Sequence, residues 1–223
     1  MDEIILMADP RVTAVPVLEC GESLVDVRRY GSLLVDGRKQ DSDGAFAHLR
    51  EGVLKRLLQA QASLPHGLRL LLVEGYRQPS RQHQYFEEYA AELRAAHPDW
   101  SDTQLRAAAS RFVSPPEIAP HSAGAAVDLT LADCNGGELD LGTPIDANPE
   151  QSAGACYTQA STISAEARRN RTVLTAALTG VGLVNYPTEW WHWSFGDRYW
   201  ALATQAPAAL YGPTEPDSPS GPV

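Results

Sequence analysis

Cysteine is scarce in this chain. Three thiols in 223 residues (Cys20, Cys134 and Cys156) are too few for a disulfide scaffold, and they stand too far apart for a CxxC metal knuckle. Basic charge is also short, with 18 Lys and Arg against 28 Asp and Glu. The resulting formal charge of −10 repels phosphate backbones and anionic lipid, so neither nucleic acid nor a membrane is an expected partner. No apolar run approaches the roughly 20 residues of a membrane span. The opening MDEIILMADPRV lacks the basic and apolar regions of a signal peptide. The expectation is a cytoplasmic protein; the alternative is an exported mature form whose signal is absent from this sequence. What remains is ordinary globular composition, 43% hydrophobic and 21% charged, at a length that suits one α+β domain.

Periodicity outlines the elements. Phe46, Leu49, Val53, Leu57 and Leu58 recur at three- and four-residue steps and predict a helix over 44–64. The short apolar run 68–73 predicts a buried strand. Pro79 opens a helix carrying Tyr85, Phe86, Tyr89 and Leu93 until His97-Pro98. Ser101 and Gln104 have capping-box spacing and start another, to about Phe112. Over 125–131, Val127, Leu129 and Leu131 alternate with Asp128 and Thr130, a strand with an aspartate on its second face. A long polar connection, 132–159, leads to a helix over 164–179 closed by Gly180, and 191–195 with 198–202 predict a terminal strand pair. Residues 1–206 are read as one domain and the proline-rich 207–223 as a disordered tail.

Two of the six histidines stand apart. His121 precedes a run of small residues ending at Asp128, and His192 follows Glu189-Trp190-Trp191. A catalytic zinc site takes three protein ligands from His and Asp or Glu, which His121, Asp128 and His192 would supply. The small residues, Gly124 above all, allow a tight turn to bring the imidazole back to the strand carboxylate. Hydrolysis also needs a base, and Glu189 sits three residues before His192. A regular strand there would send Glu189 and His192 to opposite faces, so a turn at Trp190 is required. Arg77, behind Gly75 at a strand end, can face the oxyanion formed during attack on an amide. Each residue also has a plain structural reading: solvated histidine, core tryptophan, surface ion pair.

GYR at 75–77, HSAGAAVDLTL at 121–131, DLGTPID at 140–146 and EWWH at 189–192 together resemble the D-alanyl-D-alanine dipeptidases of the VanX type. These are zinc peptidases of the wider group that includes D-Ala-D-Ala carboxypeptidases, lysostaphin-type enzymes and the hedgehog signalling domain. The resemblance runs in order over 68–195. It implies a hedgehog/DD-peptidase-like α+β fold with a central, mostly antiparallel sheet and flanking helices. It further implies one zinc per chain on His121, Asp128 and His192, with Glu189 as general base and Arg77 as transition-state stabiliser. Asp146 matches the family aspartate that receives the dipeptide ammonium. The implied activity is hydrolysis of D-Ala-D-Ala or a closely related small dipeptide, either keeping it out of cell-wall precursors or recovering it as nutrient. Ala119 stands where the family motif SxHxxGxAxD opens with serine, and the upstream Asn-Phe-x-Gly element is absent. Two other readings remain at this point: a D,D- or L,D-carboxypeptidase acting on peptidoglycan stems, and a zinc-stabilised binding domain without catalysis.

Overall fold

The computed structural model describes residues 4–215. Five strands form the main sheet: β2 (Leu34–Val35), β4 (Arg69–Glu74), β5 (Ala126–Ala132), β6 (Val184–Asn185) and β7 (His192–Ser194). Their order is β2-β4-β5-β7-β6. Only the β2/β4 pair is parallel; the other three are antiparallel. A separate antiparallel pair joins β1 (Leu24–Asp26) to β3 (His48–Arg50). Helices α1 (Pro10–Thr13), α2 (Glu51–Ser63), α3 (Pro79–Ala96), α4 (Asp102–Ala109), α5 (Ala165–Thr179) and α6 (Arg198–Thr204) surround them. This is the α+β arrangement with a mostly antiparallel sheet that the sequence predicts.

The alternation in β5 divides the molecule. Val127, Leu129 and Leu131 join Leu49, Val53, Leu54 and Leu57 near α2, and Leu174 and Leu178 of α5, in the largest apolar cluster. Asp128 and Thr130 take the opposite face, as successive strand residues must. Register then decides what meets Asp128: Glu74 stands opposite it on β4 and His192 opposite it on β7. A smaller cluster of Phe86, Tyr89, Leu93, Leu105, Ala109 and Val113 fixes α3 to α4, with the capping box of Ser101 and Gln104 formed as the spacing predicts.

Four expectations change. The helix predicted over 44–64 begins only at Glu51. Before it, Gly44 is left-handed at φ 68° and Asp41 accepts from the amides of Ala45 and Phe46. The Phe46 and His48 carbonyls bond Gly75 and Tyr76, so tertiary pairing takes groups a helix would need. The predicted strand over 198–202 is helix α6, because the Asp197 carboxylate accepts from the amides of Tyr199 and Trp200 and caps it. The second partner of β7 is instead β6, two residues long. The helix from Ser101 stops at Ala109.

The tail is the last correction. Ala208, Ala209 and Tyr211 are buried, Ala209 bridges Val17, and Tyr211 Oη donates to Glu22 at 2.7 Å. Apolar side chains among the prolines hold this segment down; residues 216–223 lie outside the described ones. Among the described residues no helix is long and apolar enough to cross a membrane.

Candidate active site

Three elements converge on one point. His121 lies in a tight helical turn, His121–Ala123, closed by Gly124 at φ 64°. A Cβ on Gly124 would stand 2.3 Å from Leu24 Cδ2, the movable end of a side chain, so it is the left-handed conformation that calls for glycine. Arg50 fastens the turn, its amide donating to Gly124 O and its Nε to Ala123 O, both at 2.9 Å. His121 Nδ1 donates to Gly75 O at 2.6 Å. A carbonyl can only accept, so that bond leaves the lone pair on Nε2. Gly75 has no room for a side chain, since a Cβ would lie 2.5 Å from His48 O.

Nε2 of His121, Oδ1 of Asp128 and Nδ1 of His192 face one another. Their separations are 3.2 Å (His121 to His192), 3.1 Å (His192 to Asp128) and 3.4 Å (His121 to Asp128). Donors about 2.0–2.1 Å from a tetrahedral zinc lie about 3.3 Å from one another, so this buried trio has the size and the donor types of a zinc site. Its electrostatics agree. Burial opposes ionisation of Asp128, yet His121 and His192 hold its carboxyl well below the usual range. Burial pushes His192 down, against the pull of Asp128, toward the neutral form that binds metal.

The turn required at Trp190 is present. The His192 amide donates to Glu189 O at 3.3 Å, and Asn185 Nδ2 donates to both Glu189 O and His192 O. This brings Glu189 Oε2 to 3.7 Å from His192 Nδ1. Burial first, then Asp128 and Asp146, raise the Glu189 carboxyl well above its ordinary value. Arg77 is partly buried, its side chain 11% exposed, and is not a surface cation. Its Nε and Nη2 donate to the two oxygens of Glu74, each at 2.7 Å, and Nη1 donates to Gln82 Oε1 at 2.8 Å. Those bonds use three of the five guanidinium N–H groups and leave two for a ligand.

One cavity of about 370 Å³ takes in His121, Asp128, His192, Glu189 and Arg77, together with Asp146 and Lys39. Asp146 sits at φ 67°, left-handed for a non-glycine residue, in the connection between β5 and α5. Lys39 Nζ lies 2.6 Å from its Oδ2. The buried Arg171 of α5 organises that connection by donating to the carbonyls of Leu141, Ala155 and Tyr157. Sequence reasoning missed Lys39, Glu74, Gln82, Asn185, Arg50 and Arg171. The spacing of Glu74 three residues before Arg77 was the one available signal for that pair. Ala119 is buried and is not among the cavity-lining residues; the three cysteines are unpaired.

The M15 peptidase family model described as D-Ala-D-Ala dipeptidase matches residues 35–208. A D-alanyl-D-alanine dipeptidase of Synechocystis sp. is 30% identical over 219 residues, covering 84% of this chain and 87% of that protein. One from Enterococcus faecium is 30% identical over 171 residues, 74% and 79% of the two chains. Among solved structures, the LD-carboxypeptidase LdcB aligns at TM-score 0.43 and 15% identity, over 78% of this chain and 71% of that one. The vancomycin-resistance D,D-pentapeptidase VanY, solved with Zn(II), aligns at TM-score 0.40 and 18% identity, over 77% and 84%.

Proposed function

The chain belongs to the M15 peptidases of the D-Ala-D-Ala dipeptidase family and is a zinc metallopeptidase, and on that premise we propose that it hydrolyses a free D,D-dipeptide, D-Ala-D-Ala or a close relative. His121, Asp128 and His192 would hold the zinc, one per chain. The observation that carries this reading is their mutual spacing of 3.1–3.4 Å beside a buried carboxylate that is not one of the three. Zinc, when bound there, supplies Lewis acidity to the reacting water and amide carbonyl.

Glu189 performs the proton transfers. Its raised affinity for a proton suits a group that takes one from the attacking water and passes it to the departing amine, leaving a carboxylic acid and a free amine. Arg77 directs its two remaining N–H groups at the oxyanion, and Glu74 and Gln82 hold the guanidinium so that little reorganisation accompanies charge development. Asp146 receives the substrate ammonium. A substrate lacking that cation cannot replace Lys39 on Asp146 and forgoes a charge-assisted hydrogen bond, which disfavours blocked and longer peptides.

The test is kcat/KM for D-Ala-D-Ala, its N-acetyl form and a pentapeptide ending in D-Ala-D-Ala. The free dipeptide is expected to be the better substrate by roughly 10-fold or more, in line with a charge-assisted hydrogen bond lost in the other two. Equal cleavage of the blocked or long substrate would replace the dipeptidase reading with that of a stem-trimming carboxypeptidase.

A further inference from the structure

A free dipeptide carries two charges, and the cavity must also answer the carboxylate. Its lining is hostile to one: Glu88, Glu92, Asp128, Asp146 and Glu189 contribute carboxylates, against the cations Arg77 and Lys39. Arg77 is committed on three of its N–H groups to Glu74 and Gln82. Lys39 is held differently. The turn after β2 turns Arg38 outward to Asp36 and Glu138 and Lys39 inward to a single carboxylate, Asp146. That pair is partly solvated, with side-chain exposures of 24% and 40%, and ion pairs of this kind exchange at little net cost.

We propose that Lys39 is a specificity-determining residue that receives the terminal carboxylate of the dipeptide. The inference rests on the dipeptidase reading of the site. In the empty cavity Lys39 and Asp146 neutralise each other. When a zwitterionic dipeptide enters, its ammonium replaces the Lys39 ammonium on Asp146 and its carboxylate takes up Lys39. Two ion pairs then stand where there was one, and no charge is left unmatched. An extended dipeptide separates its ends by roughly 7 Å, so Lys39 must swing away from Asp146, which its flexible four-carbon stem permits. A dipeptide whose carboxylate is masked offers Lys39 nothing in exchange for Asp146.

The experiment compares D-Ala-D-Ala with D-alanyl-D-alaninamide on wild type, Lys39→Met and Lys39→Arg. Kinetics are run on the zinc enzyme, and titration calorimetry with both ligands on metal-stripped protein. Wild type is expected to favour the free acid by roughly 10–100-fold, mostly in KM, as expected for one charge-assisted interaction. In Lys39→Met the preference collapses because the acid's KM rises, zinc content is unchanged, and Lys39→Arg restores part of it. An unchanged preference in Lys39→Met, or an equal loss for acid and amide, would overturn the proposal and leave Lys39 a prop for Asp146. Acid-selective, Lys39-dependent binding without turnover would sustain Lys39 and remove the dipeptidase reading. Binding indifferent to Lys39 would remove Lys39 alone.

Discussion

Glu189 is buried beside two other carboxylates, and only Arg77 opposes the rise in its proton affinity. A carboxyl whose folded-state pKa lies above its unfolded value holds an extra proton in the native state. Stability therefore falls as pH rises through the folded value. In metal-stripped protein Glu189→Gln should remove this penalty, so the variant gains on wild type as pH rises above the ordinary glutamate range, read as urea midpoints. A gap independent of pH would show that Glu189 is not strained by its charge. With zinc present the same variant should keep its metal and lose roughly 10²–10⁴-fold in kcat, the range for a lost general base. That His121, Asp128, Glu189 and His192 would meet at one point was legible in the sequence because the histidines are few and their contexts odd: six in all, with two of them near carboxylates among small or aromatic neighbours. Lys39, Gln82 and Glu74 were not, because they are ordinary polar residues in a charged chain, and only folding turns them toward Arg77 or Asp146.

At the scale of elements, β5 announced itself through strict alternation, and the capping box through two residues at fixed spacing. The failures were elements whose identity depends on distant partners. β2 and β6 span two residues each, too short for any period, and exist because β4 and β7 supply hydrogen bonds. Residues 44–50 carry a helical apolar spacing, yet Phe46 and Leu49 are buried from a tight turn and a strand. The connection from β5 to α5 is held by Arg171, whose guanidinium binds carbonyls from three points along it, and burial lowers its pKa to about 10. Arg171→Met should leave those carbonyls unpaired, each typically costing about 1–3 kcal/mol. The expected outcome is faster proteolysis within 138–159 and a raised KM, through Asp146, with zinc content unchanged. Unaltered KM and cleavage rate would show that the connection holds itself.

Across the whole molecule, distant segments meet behind the site. Arg50 donates to Ala123 O near His121 and to Gly212 O near the end of the described chain, while Tyr211 reaches Glu22. The pairing of β4, β5 and β7 sets Glu74, Asp128 and His192 in one row. The fold thus brings residues 121, 128 and 192 into a trio of the size and donor types that zinc takes, and the measurement closest to the proposal that they hold it is metal content determined together with turnover. Purified wild type should carry about one zinc per chain by elemental analysis and hydrolyse D-Ala-D-Ala, and His121→Ala should lose metal and activity together. Full activity after exhaustive chelation, or a His121→Ala protein that keeps both its zinc and its turnover, would contradict the account.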